Sequence, residues 1–263
     1  MDDDPPKPVI KRYLRGQIRP LIPALAWTAA LIVVWESAGR ILGVHPDFLP
    51  TPSRILLEWV RESGRLRAHG IITAAEVFGG FLLSLVLSIP ASILVALTPS
   101  LDRSLLPMMA ALRRAPLIAA TPLAFIWLGF GFRSIVLLAC LLSFLTLTPG
   151  FVEGLRSVSE NVLDLMRLAN LGPVSIFARL RLPSCLPRAF AAMKTAVPLV
   201  VGVVVIGEFV DGQKGLGYLM LAAAFKLETS LVFAALAAVM LIGLILYGAV
   251  VFAELALVRR RRT

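Results

Sequence analysis

Few side chains in this sequence are placed to do covalent chemistry. The only two histidines, His45 and His69, fall in one segment without HExxH spacing, so no helical metal pair is encoded. Cys140 and Cys185 lie in or beside apolar runs with no CxxC, which suits packing and not redox or metal work. No GxSxG occurs, and no pair of aspartates opposes another within an apolar run. A GxxxxGK[ST] loop is also missing; Gly212-Gln-Lys-Gly215-Leu-Gly217 has neither its spacing nor a strand before it, so no phosphate cradle is expected. What remains are ionisable residues inside apolar surroundings: Glu76, Arg113, Arg114, Lys194 and Glu208. A charge at mid-bilayer costs roughly 2.5–3.5 kcal/mol on insertion scales, so each must face protein, water or a pathway. The chemistry on offer is binding and passage, and the chain is not expected to be an enzyme.

The elements that carry these residues are apolar. Hydrophobic residues make up 58% of the 263, and charged ones only 16%. With a mean hydropathy of +0.87, there is too little polar surface to cover a water-soluble globule. The net charge of +10 is spread through short segments between apolar runs, a pattern of membrane topology and not of nucleic-acid binding. Five stretches are long enough to cross a bilayer: 21–42, 71–97, 134–151, 189–209 and 231–257. A sixth, 104–129, is interrupted by Arg113-Arg114 and by Pro107, Pro116 and Pro122, and is read as a discontinuous span. The expectation is an all-α membrane protein with six transmembrane helices. It comprises an N-terminal segment 1–20, a membrane domain 21–257 and an Arg-rich tail 258–263.

Six spans place both termini on one side. With the termini inside, the cytoplasmic segments hold Lys7, Lys11, Arg12, Arg15, Arg19, Arg103, Arg156, Arg167, Arg179, Arg181, Arg188 and Arg259 to Arg262. The outer segments hold Arg40, Arg54, Arg61, Arg65, Arg67, Arg133, Lys214 and Lys226. The tally favours both ends inside, with a basic first outer loop as the exception. That loop, 45–70, carries Ile55, Leu56, Trp59 and Val60 at helical spacing behind Ser53, a short amphipathic helix on the membrane surface. The last outer loop, 211–230, reads as a turn and a second short helix. Lys194, early in the fifth span, is expected to snorkel to the inner surface.

The segment 157–187, SVSENVLDLMRLANLGPVSIFARLRLPSCLP, is too long for a turn and too polar for a span. Val162, Leu165, Leu168 and Leu171, then Ile176, Phe177 and Leu180, recur at helical spacing. Gly172-Pro173 divides two short helices, while Pro183 and Pro187 mark the return into the membrane. Such an element offers an apolar knob to a partner, and Arg167, Arg179 and Arg181 would steer its docking.

Here the sequence resembles the permease subunits of binding-protein-dependent ATP-binding-cassette importers, in the branch serving nitrate, sulfonates, taurine and pyrimidine precursors. Those permeases carry a cytoplasmic loop of the form E-A-A, three residues, G, nine residues, I-x-L-P. Counted back without gaps from Leu182-Pro183, Asp164 falls at the Glu position, Leu165 and Met166 at the alanines, and Asn170 at the Gly. Arg167, Leu168 and Ala169 lie between them, and Leu171 follows. A second register puts Gly172 at the Gly position but needs a two-residue deletion. The ungapped one also keeps Phe177 in place, and Asn ranks next to Gly for a left-handed turn. FLPTPSRILLEWV, RRAPLIAATPLAFIWLGFG and IGEFVDGQKGLGYLMLAAAF resemble further family segments, in order along the chain.

The resemblance implies a type I importer permease fold with a cytoplasmic coupling helix between the fourth and fifth spans. It implies partners as well: a second permease copy in a homodimer, two cytoplasmic ATPase subunits, an extracytoplasmic solute-binding protein and the bilayer of a bacterial inner membrane. ATP and Mg would be held by the ATPase, with no cofactor in this chain. A sulfonate, taurine, nitrate or similar small anion is the expected solute. Glu208 matches the family's A-E position and would shape the outer mouth. Glu76 falls where many relatives carry Arg, so no role transfers to it; for both, an interfacial carboxylate is the plainer reading. Arg113 and Arg114 sit either at the inner interface or deeper beside the pathway, where they would favour an anion. The rival class is a secondary transporter or channel, distinguished by whether an ATPase copurifies.

Overall fold

The computed structural model describes residues 21–41, 48–114 and 121–259. The N-terminal segment with Lys7, Lys11, Arg12, Arg15 and Arg19, the tail Arg260 to Arg262, and His45 lie outside the described residues. Every regular element among the described residues is helical. In order it forms α1 Leu21–Ile41, α2 Pro52–Arg61, α3 Ser63–Leu97, α4 Pro99–Arg114, α5 Thr121–Leu128 and α6 Phe132–Leu155. There follow α7 Glu160–Leu168, α8 Pro173–Ile176, a π-helical turn Phe177–Arg181, α9 Leu182–Asp211, α10 Gly215–Phe225 and α11 Thr229–Arg259.

Four helical stretches are long and apolar enough to cross a membrane: Ser63–Leu97, Phe132–Leu155, Pro173–Asp211 and Thr229–Leu257. The apolar α1 adds a fifth element of spanning length, 21 residues. The discontinuous stretch resolves into α4 and α5 on either side of 115–120. Large apolar side chains such as Leu82, Val86, Met240, Leu244 and Phe252 point outward, which only a lipid solvent tolerates over so wide a surface.

Two boundaries differ from the sequence reading. The helix that carries the second span starts at Ser63, ahead of Ile71, with Arg65 and Arg67 exposed on its first turns. The fifth does not start afresh after Pro183: helix runs unbroken from Pro173 to Asp211. Proline lacks an N–H and crowds the carbonyl four residues back. The wider π turn at Phe177–Arg181, directly before Leu182-Pro183, absorbs that conflict without a bend out of helix.

The core forms where α3, α6 and α9 pack side by side, closed by α10 and α11. Small residues permit the approach. A Cβ on Gly80 of α3 would lie 2.6 Å from the Ala139 methyl of α6. On α6, Gly150 and Gly154 form a GxxxG against α9, where added Cβ atoms would meet the Ala192 methyl at 2.5 Å and the Cys185 sulfur at 2.7 Å. Both cysteines are thus buried packing groups. Lys194 pairs with Glu254 of α11 at 2.5 Å, so its charge is matched inside the fold instead of by solvent alone.

Candidate functional site: the 157–187 loop and the α10 cap

The bundle has two ends with different chemistry. At one, which we term the loop end, Arg156 ties three elements together. It pairs with Asp102 of α4 and donates to the Val95 and Ala96 carbonyls at the end of α3, both at 3.5 Å. Beside it, Ser157 Oγ donates to Gly154 O at 2.7 Å and to Ser184 O at 3.3 Å, while Arg188 donates to Glu153 O at 3.0 Å. The base of the segment between α6 and α9 is therefore clamped from both flanks.

From this base α7 projects with its apolar residues on opposite sides. Leu163, 5% exposed, is buried and anchors the helix, whereas Leu165 and Leu168 stand out, Leu168 being 85% exposed; Val174 of α8 is exposed as well. The sequence pattern missed Leu163, because it stands off the Leu165–Leu168 stripe that pattern followed. Asp164 and Arg167 pair across the exposed surface at 2.9 Å. Met166 and Leu171 are half-buried and Ala169 is exposed; Phe177 lies in the π turn, and Leu182 and Pro183 open α9.

The end of α7 decides which residue makes the left-handed turn. Asn170 has φ +58°, whereas Gly172 is extended at φ −66°. Leu171 N donates to Met166 O at 3.2 Å and Asn170 N to Arg167 O at 2.9 Å. This pair of bonds is the Schellman closure, which satisfies carbonyls that a helix end otherwise leaves bare. Asparagine tolerates the conformation that the motif requires of its glycine.

At the far end, α10 begins with three amides that have no partner in their own helix. Each receives one from another element. Gly215 N donates to His69 Nδ1 at 3.1 Å, Leu216 N to Thr73 Oγ1 at 2.8 Å, and Gly217 N to Glu208 Oε2 at 2.6 Å. Thr73 Oγ1 in turn donates to Glu208 Oε1 at 2.6 Å, so both carboxyl oxygens of Glu208 are engaged. The fit demands glycine: a Cβ on Gly215, at φ +97°, would collide with the Glu208 carboxyl, and one on Gly217 would lie 2.6 Å from Val205 O. His69 and Thr73, i and i+4 on α3, were not singled out as a pair in the sequence; their spacing opposite G-x-G is the signal that marks them.

Glu208 is fully buried and Glu76 2% exposed. The Glu76 carboxyl faces those of Glu208 and Asp211, and its Oε2 has no hydrogen-bond partner among the described residues. Arg113 is exposed near the end of α4, 11 residues beyond Asp102 and so about 16 Å along the helix axis. Arg114 closes that helix. The structure brings Glu76 and Glu208 together at the far end and places Arg113 apart from them on a separate helix.

Comparison with known proteins now bears on this geometry. Residues 88–261 match the family described as binding-protein-dependent transport system inner membrane component, a stretch that contains α7, α9 and α10. The chain belongs to this family. The permease is 32% identical to the riboflavin transport system permease RibX of Chloroflexus aurantiacus over 88% of each chain. It is 27% identical to a putative aliphatic sulfonates transport permease, SsuC, of Bacillus subtilis, over 90% of this chain and 84% of that one. Among solved structures the MetNI methionine ABC transporter superposes with TM-score 0.60 at 18% identity, covering 76% of this chain and 97% of that chain. The fold is that of type I ABC importer permeases. The permease is a membrane-embedded transport subunit.

Proposed function

We propose that this permease, paired with a second copy of itself, lines the pathway of an inner-membrane importer for a small anionic solute and is driven through α7. The observation that carries the reading is the loop end: α7 with a clamped base, a buried anchor at Leu163 and an exposed tip of Leu165 and Leu168, with Val174 of α8 exposed after it. Such a tip, ringed by Arg167, Arg179 and Arg181, suits the cleft of an ATPase that binds ATP and Mg. In this reading the loop end and both termini are cytoplasmic. The far end receives solute from an extracytoplasmic binding protein. There Glu208, Thr73 and His69 hold α10 at the mouth, with Glu76 beside them. Arg113 and Arg114 would attract the anion from α4.

The discriminating experiment is removal of Leu165–Leu171. Membrane insertion should persist while copurification of the ATPase in mild detergent is lost; retained association would refute the coupling role. For the solute, Arg113→Gln and Arg114→Gln should each lower uptake at normal expression, and unchanged uptake in both would end their claim to the pathway. A second solute class, a planar heteroaromatic, is favoured by the 32% identity to a riboflavin transport permease. Calorimetry on the cognate binding protein separates the two.

A further inference from the structure

The first connection at the far end carries a surface outside the cap and the loop described above. α2 lies level with the last turn of α1. Glu36 accepts from Ser53 N at 3.0 Å and from Ser53 Oγ at 2.7 Å, and a Cβ on Gly39 would meet the Thr51 methyl at 2.7 Å. The other end of α2 passes through Glu62 into the first turn of α3. The helix is thus held along the rim of the bundle, between the end of α1 and the start of α3.

Its apolar arc is wider than its contact with the core. At 100° per residue, Ile55 and Trp59 share one stripe and pack on the core. Leu56 and Val60 form the next stripe and Leu57 extends it, and all three are exposed. Beyond Leu57 come Arg61 and Arg54, also exposed. Glu58 lies on the opposite edge, half-buried towards the core, and Glu62 is taken by Arg65 at 3.2 Å. Arg54 and Arg61 pair with no acid among the described residues. The outward face of α2 is therefore an apolar strip with unneutralised guanidiniums along one border, and Phe48 stands exposed just before it.

We propose that α2 binds anionic phospholipid of the leaflet at the far end, with Leu56, Leu57 and Val60 among the upper acyl carbons and Arg54 and Arg61 on phosphodiester headgroups. An acidic protein partner would meet arginines set among polar side chains. Here they border an apolar strip, as at the boundary between headgroups and chains. Planar guanidinium forks match phosphate oxygens two at a time. This interaction accounts for a basic loop on the side that otherwise carries few cations.

The test uses the permease assembled with its ATPase in nanodiscs. A fluorophore on Leu57→Cys reports contact, since Cys140 and Cys185 are buried. Tail-brominated phosphatidylglycerol should quench it more strongly than tail-brominated phosphatidylcholine at equal mole fraction. Arg54→Gln and Arg61→Gln should each weaken that preference about fivefold, and high salt should weaken it as well. Elution of each variant as the intact complex controls for folding. Equal quenching by the two lipids would overturn the headgroup site. Absence of quenching by either would mean that protein, a second copy or a binding protein, covers the face, and would overturn the proposal altogether.

Discussion

Glu208 separates a structural carboxyl from a transport charge. In the structure it accepts from Gly217 N and from Thr73 Oγ1 with no exposure to solvent. Glu208→Ala leaves the Gly217 amide buried and unsatisfied, whereas Thr73 can still donate to His69 O at 3.2 Å. One orphaned buried amide costs about 2 kcal/mol. For a chain of this size that corresponds to a fall in Tm of roughly 5 °C. Glu208→Gln behaves differently. Its Oε1 can accept from Gly217 N, and its amide can donate to the second lone pair of Thr73 Oγ1, which still accepts from Leu216 N. The expected cost is under about 1 kcal/mol, because only the charge assistance is lost. Thermal unfolding of the detergent-solubilised complex, measured beside uptake in proteoliposomes, reads both effects. Alanine should lower Tm and uptake together, and glutamine should retain most of each. A glutamine variant as unstable as alanine would refute the capping argument. One that is stable but inactive would show that the charge itself acts in transport.

Other outcomes follow from the same geometry. Asn170→Gly should leave ATPase coupling intact or improve it, whereas Asn170→Val, forced to φ +58°, should cost about 1–2 kcal/mol and lower solute-stimulated ATPase activity. Gly154→Leu should abolish monodisperse elution of the complex, since its Cβ would lie 3.0 Å from the Cys185 carbonyl, which is backbone and cannot turn aside. Gly172→Ala, with nothing within 4 Å, should elute as wild type. Lys194 and Glu254 should show a coupling of about 0.5–1 kcal/mol in a double-mutant cycle of thermal stability, the upper range for a partly exposed pair.

Much of the membrane architecture is legible without coordinates. Apolar runs of spanning length report lipid as the solvent, because no water is present there to satisfy an open backbone. The loop 157–187 is legible for the converse reason: a polar stretch with helical periodicity has no place in a span. Even its degenerate motif is readable at Asn170, where local backbone preference alone selects the left-handed turn.

The α10 cap was not legible, and the reason is physical. Glu208, Thr73 and His69 each look like an isolated polar residue in or beside an apolar run. The partners of Thr73 lie 135 and 143 residues away, and that of His69 146 residues away. Periodicity reports which face of a helix is apolar, not which helix that face will meet. The start of α3 at Ser63 and the unbroken passage through Pro183 escaped for a related reason. Exposed arginines and a proline read locally as loop, yet neighbouring helices and a π turn let the helix continue. Composition and period determined that this chain crosses a membrane and carries a short amphipathic helix between two of its spans. Only tertiary packing decided that Glu208 is spent on holding α10, since hydrogen bonds between distant segments exist only after the helices have met.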